Sequence, residues 1–207
     1  MKKVIILIGL AYFIVINCGC PKPCIEANYS FAVNSQIIPD KDSVHVGDTI
    51  FLSSSFSDKL LDQSSGIVID YSDAVDIGSA VSVIKLNIGD TVATDAVFDF
   101  NYLSINGKVY NDRSIPRPDG VQQLTYQEAG GNYILKVGLI PKQKGIYGLG
   151  LADGLSNGRK KSKSCEKASF SITYSNTIQH FYLLTSWKSD NVLNDFGKQH
   201  GYYFKVF

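Results

Sequence analysis

Hydrophobic and polar residues alternate over short runs along most of this chain, and turn residues separate one run from the next. The clearest case lies between Asp42 and Phe56, where Val44 and Val46 alternate with polar neighbours. A Gly47–Asp48 turn follows, and a second alternating run begins at Ile50. A period of two predicts β-strands that turn one side toward a core.

Similar runs recur along the sequence at short spacing. They predict strands at 29–33, 67–71, 80–86, 96–105, 108–110, 133–140, 146–151, 168–174 and 202–207, whereas 57–66 is predicted as a loop or a single helical turn. Ser175–Asn176 is predicted to cap a short C-terminal helix with Ile178, Phe181, Tyr182 and Thr185 on one stripe. Short strands with turns between them favour an all-β, antiparallel sandwich that ends in a terminal strand.

The alternation also predicts which side chains form the core. By the period-two rule these are Ile50, Leu52, Val83, Leu135, Val137, Tyr147 and Leu149. Asn106–Gly107 lies between two alternating runs and predicts a protruding hairpin, because both turn residues must take a positive φ. Gly145-Ile-Tyr147 resembles the tyrosine corner of immunoglobulin-like domains, although Leu149 stands where antibody domains have a cysteine. We therefore expect an immunoglobulin-like β-sandwich, with a mostly immunoglobulin-like order of strands.

Composition agrees with strands and excludes one class of partner. The chain has 12 Tyr and 11 Phe against one Met and one Trp, and aromatic residues favour strands. The net charge is +1, and removal of residues 1–19 takes away Lys2 and Lys3 and leaves −1. A chain so close to neutral gives no electrostatic basis for binding nucleic acid.

The N-terminus carries an export pattern. Lys2–Lys3 precedes an apolar run over 4–16, which is too short to span a bilayer comfortably and suits a signal-peptide core. The sequence Asn17-Cys-Gly-Cys20 follows and resembles the lipid-attachment site of bacterial lipoproteins. We predict a signal peptide over 1–19, a tether over 20–28 and one domain over 29–207. The acylated residue is predicted to be Cys20, with Cys18 as the alternative; a plain secretory signal or an uncleaved anchor is the other interpretation.

Cysteine parity favours Cys20. If Cys20 carries the lipid, Cys18 leaves with the signal peptide, and Cys24 and Cys165 remain as a pair. If Cys18 carries it, three cysteines remain and one is left over. Export places the pair in an oxidising compartment, so we predict a disulfide between Cys24 and Cys165.

Several segments together resemble uncharacterised lipoproteins of Bacteroidetes-type bacteria. They are the short signal with Cys-Gly-Cys-Pro, a Tyr-Ser-Phe strand, the Asp-Ser-Val-x-Val-Gly-Asp-Thr-Ile run and a Tyr-Phe-Lys-Val ending. The resemblance implies a lipid-anchored β-sandwich of the bacterial envelope, at the outer membrane, and implies no activity. Acidic residues directly after the cysteine are the usual surface-export signal of this bacterial group, and Pro21-Lys22-Pro23 stands there instead. The periplasmic face and the cell surface are therefore both possible locations.

Residues capable of catalysis or metal binding form no local motif. Asp70, Asp73 and Asp76 lack the alternate-position spacing of a calcium loop. The three histidines, His45, His180 and His200, have no metal-ligand spacing. We therefore predict no cofactor, no metal and no enzyme, and the alternative is a hydrolase whose site assembles in space.

Three other features are candidates for contacts or modification. Trp187, Tyr182 and Tyr202 belong to an aromatic-rich C-terminus that either stacks on sugar rings or caps the core. The basic stretch 159–163 is predicted as a solvated loop tip, with anionic glycan or lipid headgroups as the alternative contact. Ser43, Thr49 and Thr91 each follow Asp and precede an aliphatic residue, which resembles the O-glycosylation sequence of Bacteroidetes exported proteins and also suits a turn that leads into a strand.

Together these patterns predict an exported, lipid-anchored, non-catalytic binding module. Its expected partners are the membrane, through the lipid, and an envelope protein or glycan. A carbohydrate-binding lipoprotein and a hydrolase are the alternatives.

Overall fold

The computed structural model describes residues 27–87, 93–110, 120–160, 165–175, 178–184 and 201–207. The described residues are mainly extended. Their strands are Ala27–Ile38 (β1), Ser43–Val44 (β2), Ile50–Ser57 (β3), Lys59–Leu61 (β4), Val68–Asp70 (β5), Gly78–Leu86 (β6), Thr94–Asp95 (β7), Phe100–Asn106 (β8), Lys108–Tyr110 (β9), Val121–Thr125 (β10), Gln127–Ala129 (β11), Asn132–Pro141 (β12), Gly145–Leu151 (β13), Gly154–Ser156 (β14), Glu166–Tyr174 (β15) and Gly201–Val206 (β16). Short 3-10 helices cover Val97–Asp99 and Phe181–Leu184.

The strands form two halves of a sandwich. One half runs β8–β12–β3–β1–β15, and the other runs β10–β6–β13–β16–β2. Strand β14 joins them because it pairs with both β15 and β6. Pairing is antiparallel except between β1 and β15 and between β16 and β2. The predicted all-β sandwich is therefore confirmed.

The core lies between the two halves and is rich in aromatic rings. Phe100 of β8 stands edge-on to Tyr147 of β13, with ring centroids 5.0 Å apart, and so links the two halves. All seven residues predicted for the core are buried, at 2 % exposure or less. The period-two rule succeeds here because each of these strands has one side against the core.

The predicted tyrosine corner is present. The hydroxyl of Tyr147 lies 3.2 Å from the carbonyl oxygen of Gln143 and 3.1 Å from Oδ2 of Asp99. This contact fixes the turn through which the chain enters β13.

The predicted hairpin at Asn106–Gly107 is wrong. Strand β8 pairs with β12 and strand β9 pairs with β10, so the chain changes from one half of the sandwich to the other at this point. Gly107 has φ +80°, and a Cβ placed there would lie 2.4 Å from the Thr125 carbonyl oxygen. Glycine is needed here for a close approach of backbones, and the two flanking strands do not pair with each other.

Two other local predictions also change. The run that includes Val44 and Val46 forms only the two-residue strand β2, and Val46 is 43 % exposed in the turn before Gly47. In place of a helix beginning at Ser175–Asn176, the described residues form the 3-10 turn Phe181–Leu184. Its buried residue is Leu184, whereas Ile178 and Tyr182 of the predicted stripe are exposed.

Candidate binding surface near the C-terminus

The segment 178–184 covers the free edge and outer side of β16. The Tyr203 amide donates to the Gln179 carbonyl (3.2 Å), and His180 Nδ1 lies 3.0 Å from the Tyr203 carbonyl oxygen. Because a carbonyl only accepts, Nδ1 carries the proton. The backbone of Gln179 and the imidazole of His180 thus take the place that a neighbouring strand would occupy beside Tyr203, which protects an exposed edge.

Glycine at position 148 of β13 lets the ring of Tyr203, on the outer side of β16, pack closely. The ring of Tyr203 lies across Gly148, where a Cβ would come within 2.8 Å of Tyr203 Cε1. Tyr203, Leu184 and Leu86 form a small apolar cluster outside the main core. Both sides of β16 are consequently buried, which the alternation rule for a half-exposed strand does not anticipate.

Segment 178–184 is joined to the residues after β1 by a pair formed by His180 and Asp40. Asp40 Oδ2 accepts a hydrogen bond from the Ile178 amide (2.7 Å), and Oδ1 lies 3.8 Å from His180 Nε2. Asp40 Oδ1 is buried and makes no hydrogen bond to the described residues. His180 is 8 % exposed and has φ 50°, an uncommon conformation for a non-glycine residue. The pair anchors segment 178–184 to the end of β1.

Tyr202 lies in the core beside this pair. It is fully buried, and its hydroxyl accepts from the Lys41 amide (3.0 Å) and donates to the Lys41 carbonyl (2.5 Å). Burial raises the pKa of Tyr202 well above its ordinary value. The prediction that Tyr202 contacts a ligand is therefore wrong, since no part of the ring reaches the surface.

Tyr182 is the exposed aromatic that the structure brings to this place. Tyr182 is 54 % exposed, and its ring stands edge-on to His180, with centroids 6.2 Å apart. Its hydroxyl donates to Asp42 Oδ2, and Asp42 Oδ1 accepts from the Ser43 hydroxyl (2.9 Å). These two bonds lower the pKa of Asp42, and the bond to Asp42 raises the pKa of Tyr182. The ring is held in a defined orientation while its face is open to solvent.

A second exposed aromatic residue, Phe207, directly follows β16. Phe207 is 47 % exposed, and the Lys205 ammonium lies 4.3 Å from the centre of its ring. The Lys205 amide donates to the Asp42 carbonyl (2.8 Å), which connects this pair to Tyr182 through Asp42. We call the exposed residues of this area the C-terminal surface: Asp42, Ile178, Phe181, Tyr182, Lys205 and Phe207.

The remaining sequence candidates lie elsewhere or outside the described residues. Trp187, His200, Thr91 and the cysteines Cys18, Cys20 and Cys24 fall outside the described ranges. Ser43 and Thr49 are half-buried. Exposed His45 pairs with Asp48, at 3.5 Å. In the part of the chain that the structure describes, no three His, Cys, Asp or Glu residues are placed to hold a metal ion.

Arg159 differs from the predicted solvated loop tip. Its Nε donates to the Ser72 carbonyl (3.0 Å), its Nη1 donates to Glu166 (2.9 Å), and its guanidinium lies over the ring of Tyr71. Arg159 therefore ties two loops together at the end of the sandwich where β1 begins. Lys161 and Lys163 lie outside the described residues.

Cys165 is disulfide-bonded, and its partner lies outside the described residues. The Ala27 amide donates to the Cys165 carbonyl (3.2 Å), so the start of β1 lies beside this cysteine. The pairing with Cys24 stays a prediction.

The chain shows distant likenesses to solved structures. No protein-family model matches the chain, and no curated protein matches it. A cohesin module from a Clostridium perfringens family 33 glycoside hydrolase is 19 % identical, with 70 % of this chain and 99 % of that chain covered, at a TM-score of 0.30. The CupB6 tip adhesin from Pseudomonas aeruginosa is 17 % identical, with 75 % and 44 % covered, at a TM-score of 0.18. No helix in the described ranges is both long enough and apolar enough to cross a membrane.

Proposed function

We propose that this protein is a non-catalytic binding module that an N-terminal lipid on Cys20 holds at the bacterial envelope. It engages an envelope protein or a glycan through the C-terminal surface. The remote resemblance to Bacteroidetes-type lipoproteins in sequence supports the location, and the arrangement of the fold supports the binding role.

The observation that carries this proposal is the separation between the start of the domain and the C-terminal surface. Strand β1 has 12 residues and ends just before Asp40 and Asp42. At about 3.3 Å per residue, its two ends are roughly 36 Å apart. A chain anchored through the residues before Ala27 therefore presents Tyr182 and Phe207 away from the membrane.

The chemistry of the C-terminal surface fits recognition. Tyr182 and Phe207 are exposed rings that neighbouring charged groups hold in place, and pre-ordered aromatic side chains contribute binding energy at a small entropic cost. Asp42 and Lys205 add one acceptor and one donor group beside the rings. This combination serves either a sugar ring with its hydroxyls or the polar rim of a protein partner.

Anchoring is tested by fractionation and mass spectrometry of the wild type and of a Cys18→Ser/Cys20→Ser variant. The wild type is expected in the membrane fraction with acyl chains on its first mature residue, and the variant in the soluble fraction. Single substitutions identify the acylated cysteine. Membrane partitioning of the double variant would refute the anchor.

Ligand binding is tested with a glycan array and with pull-downs from envelope extract. Tyr182→Ala is expected to weaken binding about 10-fold or more, as loss of a central aromatic contact does. The matched control is Tyr110→Ala, because Tyr110 is 45 % exposed on β9 and lies outside the C-terminal surface. Equal binding by both variants would exclude the C-terminal surface as the site.

The alternative function, a hydrolase, has one observation in its favour, the approach of His180 Nε2 to Asp40 Oδ1. If this pair is catalytic, the purified protein turns over a model ester or glycoside and loses that activity in His180→Asn. A binding module shows no such turnover.

A further inference from the structure

Strands β4 and β5 form a hairpin whose outward side is apolar. Leu60 pairs with Ile69 on the inward side, and Leu61 pairs with Val68 on the outward side. Leu61, Val68 and the adjacent Ile67 are 51 %, 62 % and 60 % exposed, whereas Leu60 is buried. The outward side of a surface hairpin normally carries polar residues, so these three are the unusual feature.

The hairpin is fixed rigidly to the domain. The buried carboxylate of Asp62 accepts from the Ser30 amide (2.8 Å) of β1 and from the hydroxyls of Ser64 (2.6 Å) and Ser65 (2.7 Å). These bonds, led by the one from Ser30, hold the pKa of Asp62 far below its ordinary value. The Gln63 amide also donates to the Ser30 carbonyl (2.7 Å). The apolar residues are therefore presented by an ordered turn.

This turn lies at the end of the sandwich where β1 begins. Ser30 is three residues from Ala27, which corresponds to about 10 Å along a strand. Seven residues lead from Cys20 to Ala27, and they reach at most about 25 Å when fully extended. If the proposed anchor is correct, the lipid holds Leu61, Ile67 and Val68 close to the bilayer.

We propose that the β4–β5 hairpin inserts its apolar tip into the surface of the lipid bilayer and so orients the anchored domain. This inference rests on the proposed lipid anchor. The insertion is hydrophobic, because the described charges around the hairpin give no excess of positive charge. Lys59 pairs across the hairpin with Asp70, and Arg159 pairs with Glu166. Asp58 precedes β4, and Glu128 lies on the neighbouring strand β11. Insertion into neutral phosphatidylcholine is therefore expected, with little dependence on salt.

The test places an environment-sensitive fluorophore at Ile67→Cys in the full, lipidated chain bound to phosphatidylcholine vesicles. Quenching by spin-labelled lipids is expected to be several-fold stronger than for the same label at Val46→Cys. Val46 is similarly exposed, at 43 %, and lies near the opposite end of the sandwich, after β2. Val68→Glu, a change at an exposed position, is expected to remove the quenching at residue 67 and leave the circular-dichroism spectrum unchanged.

Two further arms separate this inference from the anchor itself. In the first, a histidine tag replaces residues 1–20, and the tagged chain is attached to nickel-chelating vesicles, which supplies an anchor whether or not the native one exists. Quenching at residue 67 in this arm supports insertion of the hairpin into the bilayer, even if the native chain fails to float with vesicles. Equal quenching at residues 67 and 46 on bound protein would overturn the proposal. The proposal would also be overturned if the label at residue 67 were already shielded from solvent in the absence of vesicles. In that case the N-terminal segment of the chain, and not the bilayer, would cover the hairpin.

Discussion

The hydroxyl of Tyr147 and the carbonyl oxygen of Gln143 are 3.2 Å apart, which closes the corner at which the chain enters β13. The same hydroxyl lies 3.1 Å from Asp99, whose carboxylate also approaches the Lys85 ammonium at 3.8 Å. One buried phenol thus connects the corner to the 3-10 helix that precedes β8.

Removal of this hydroxyl should destabilise the fold measurably. Tyr147→Phe keeps the buried ring and leaves the Gln143 and Asp99 acceptors without their donor. The free energy of unfolding is expected to fall by about 1–2 kcal/mol. Tyr110→Phe is the control, because Tyr110 is exposed, and it should change stability by less than about 0.5 kcal/mol. Urea unfolding measures both, and equal effects would mean that the corner contributes nothing.

The corner and the core were predictable from the sequence because their causes are local. Gly145-Ile-Tyr147 carries its own turn signal, and Leu135 and Val137 face the core because their spacing in a strand fixes the side to which they point. By contrast, the path of the chain at Asn106–Gly107 depends on β12 and β10, strands that lie far away in sequence. Long-range pairing prevailed over the local hairpin signal there.

The candidate surface was only partly predictable for a similar reason. Tyr182 is exposed as a ligand contact requires, whereas Tyr202 is buried because segment 178–184 covers the second side of β16. No sequence pattern predicts that the His180 imidazole will make the hydrogen bond to the Tyr203 carbonyl that a neighbouring strand would otherwise make. His180 and Asp40 lie far apart in the sequence and share no motif. Only the fold brings the two residues together.

The change of sheet at Gly107 can be tested with paired glycine substitutions. Gly107 and Gly130 both have positive φ, at +80° and +59°, but only Gly107 has backbone within contact distance of an added Cβ. Gly130→Ala should cost about 1 kcal/mol, the ordinary penalty for the left-handed conformation. Gly107→Ala should cost about 1–3 kcal/mol more, because the methyl group meets Thr125. Equal costs in thermal unfolding would contradict the close approach.

Alkaline pH should unfold the protein cooperatively. Burial raises the pKa of eight tyrosines among the described residues, which are Tyr71, Tyr102, Tyr126, Tyr133, Tyr147, Tyr174, Tyr202 and Tyr203. For Tyr126 the pKa reaches about 12. An unfolded tyrosine ionises near pH 10, so stability is complete below pH 10 and falls as the pH rises toward the folded values.

Absorbance at 295 nm against pH follows this process directly. The buried tyrosines are expected to ionise together with the loss of the near-ultraviolet dichroism signal, at a pH above 10. Gradual ionisation of these eight tyrosines around pH 10, with the fold intact, would show that their rings are accessible to solvent.

The disulfide of Cys165 is expected to join Cys24. Ala27 lies beside Cys165 at the start of the parallel β1–β15 pair, and Cys24 is only three residues earlier in the sequence. Cys24→Ser and Cys165→Ser should each lower stability by up to about 4–5 kcal/mol, because the closed loop is long. Reducing agent should destabilise the wild type to the same level and leave either variant unchanged.

Peptide mapping of unreduced protein identifies the partner, and the result also bears on the lipid. A cross-linked peptide that contains Cys24 and Cys165 leaves Cys20 available for acylation. A link from Cys165 to Cys20 would contradict the pairing and remove Cys20 as the acylated residue, since one sulfur cannot form both bonds. Labelling of denatured, unreduced protein gives an independent check: two reactive thiols would contradict any disulfide at Cys165, whereas none is expected in the mature, acylated chain.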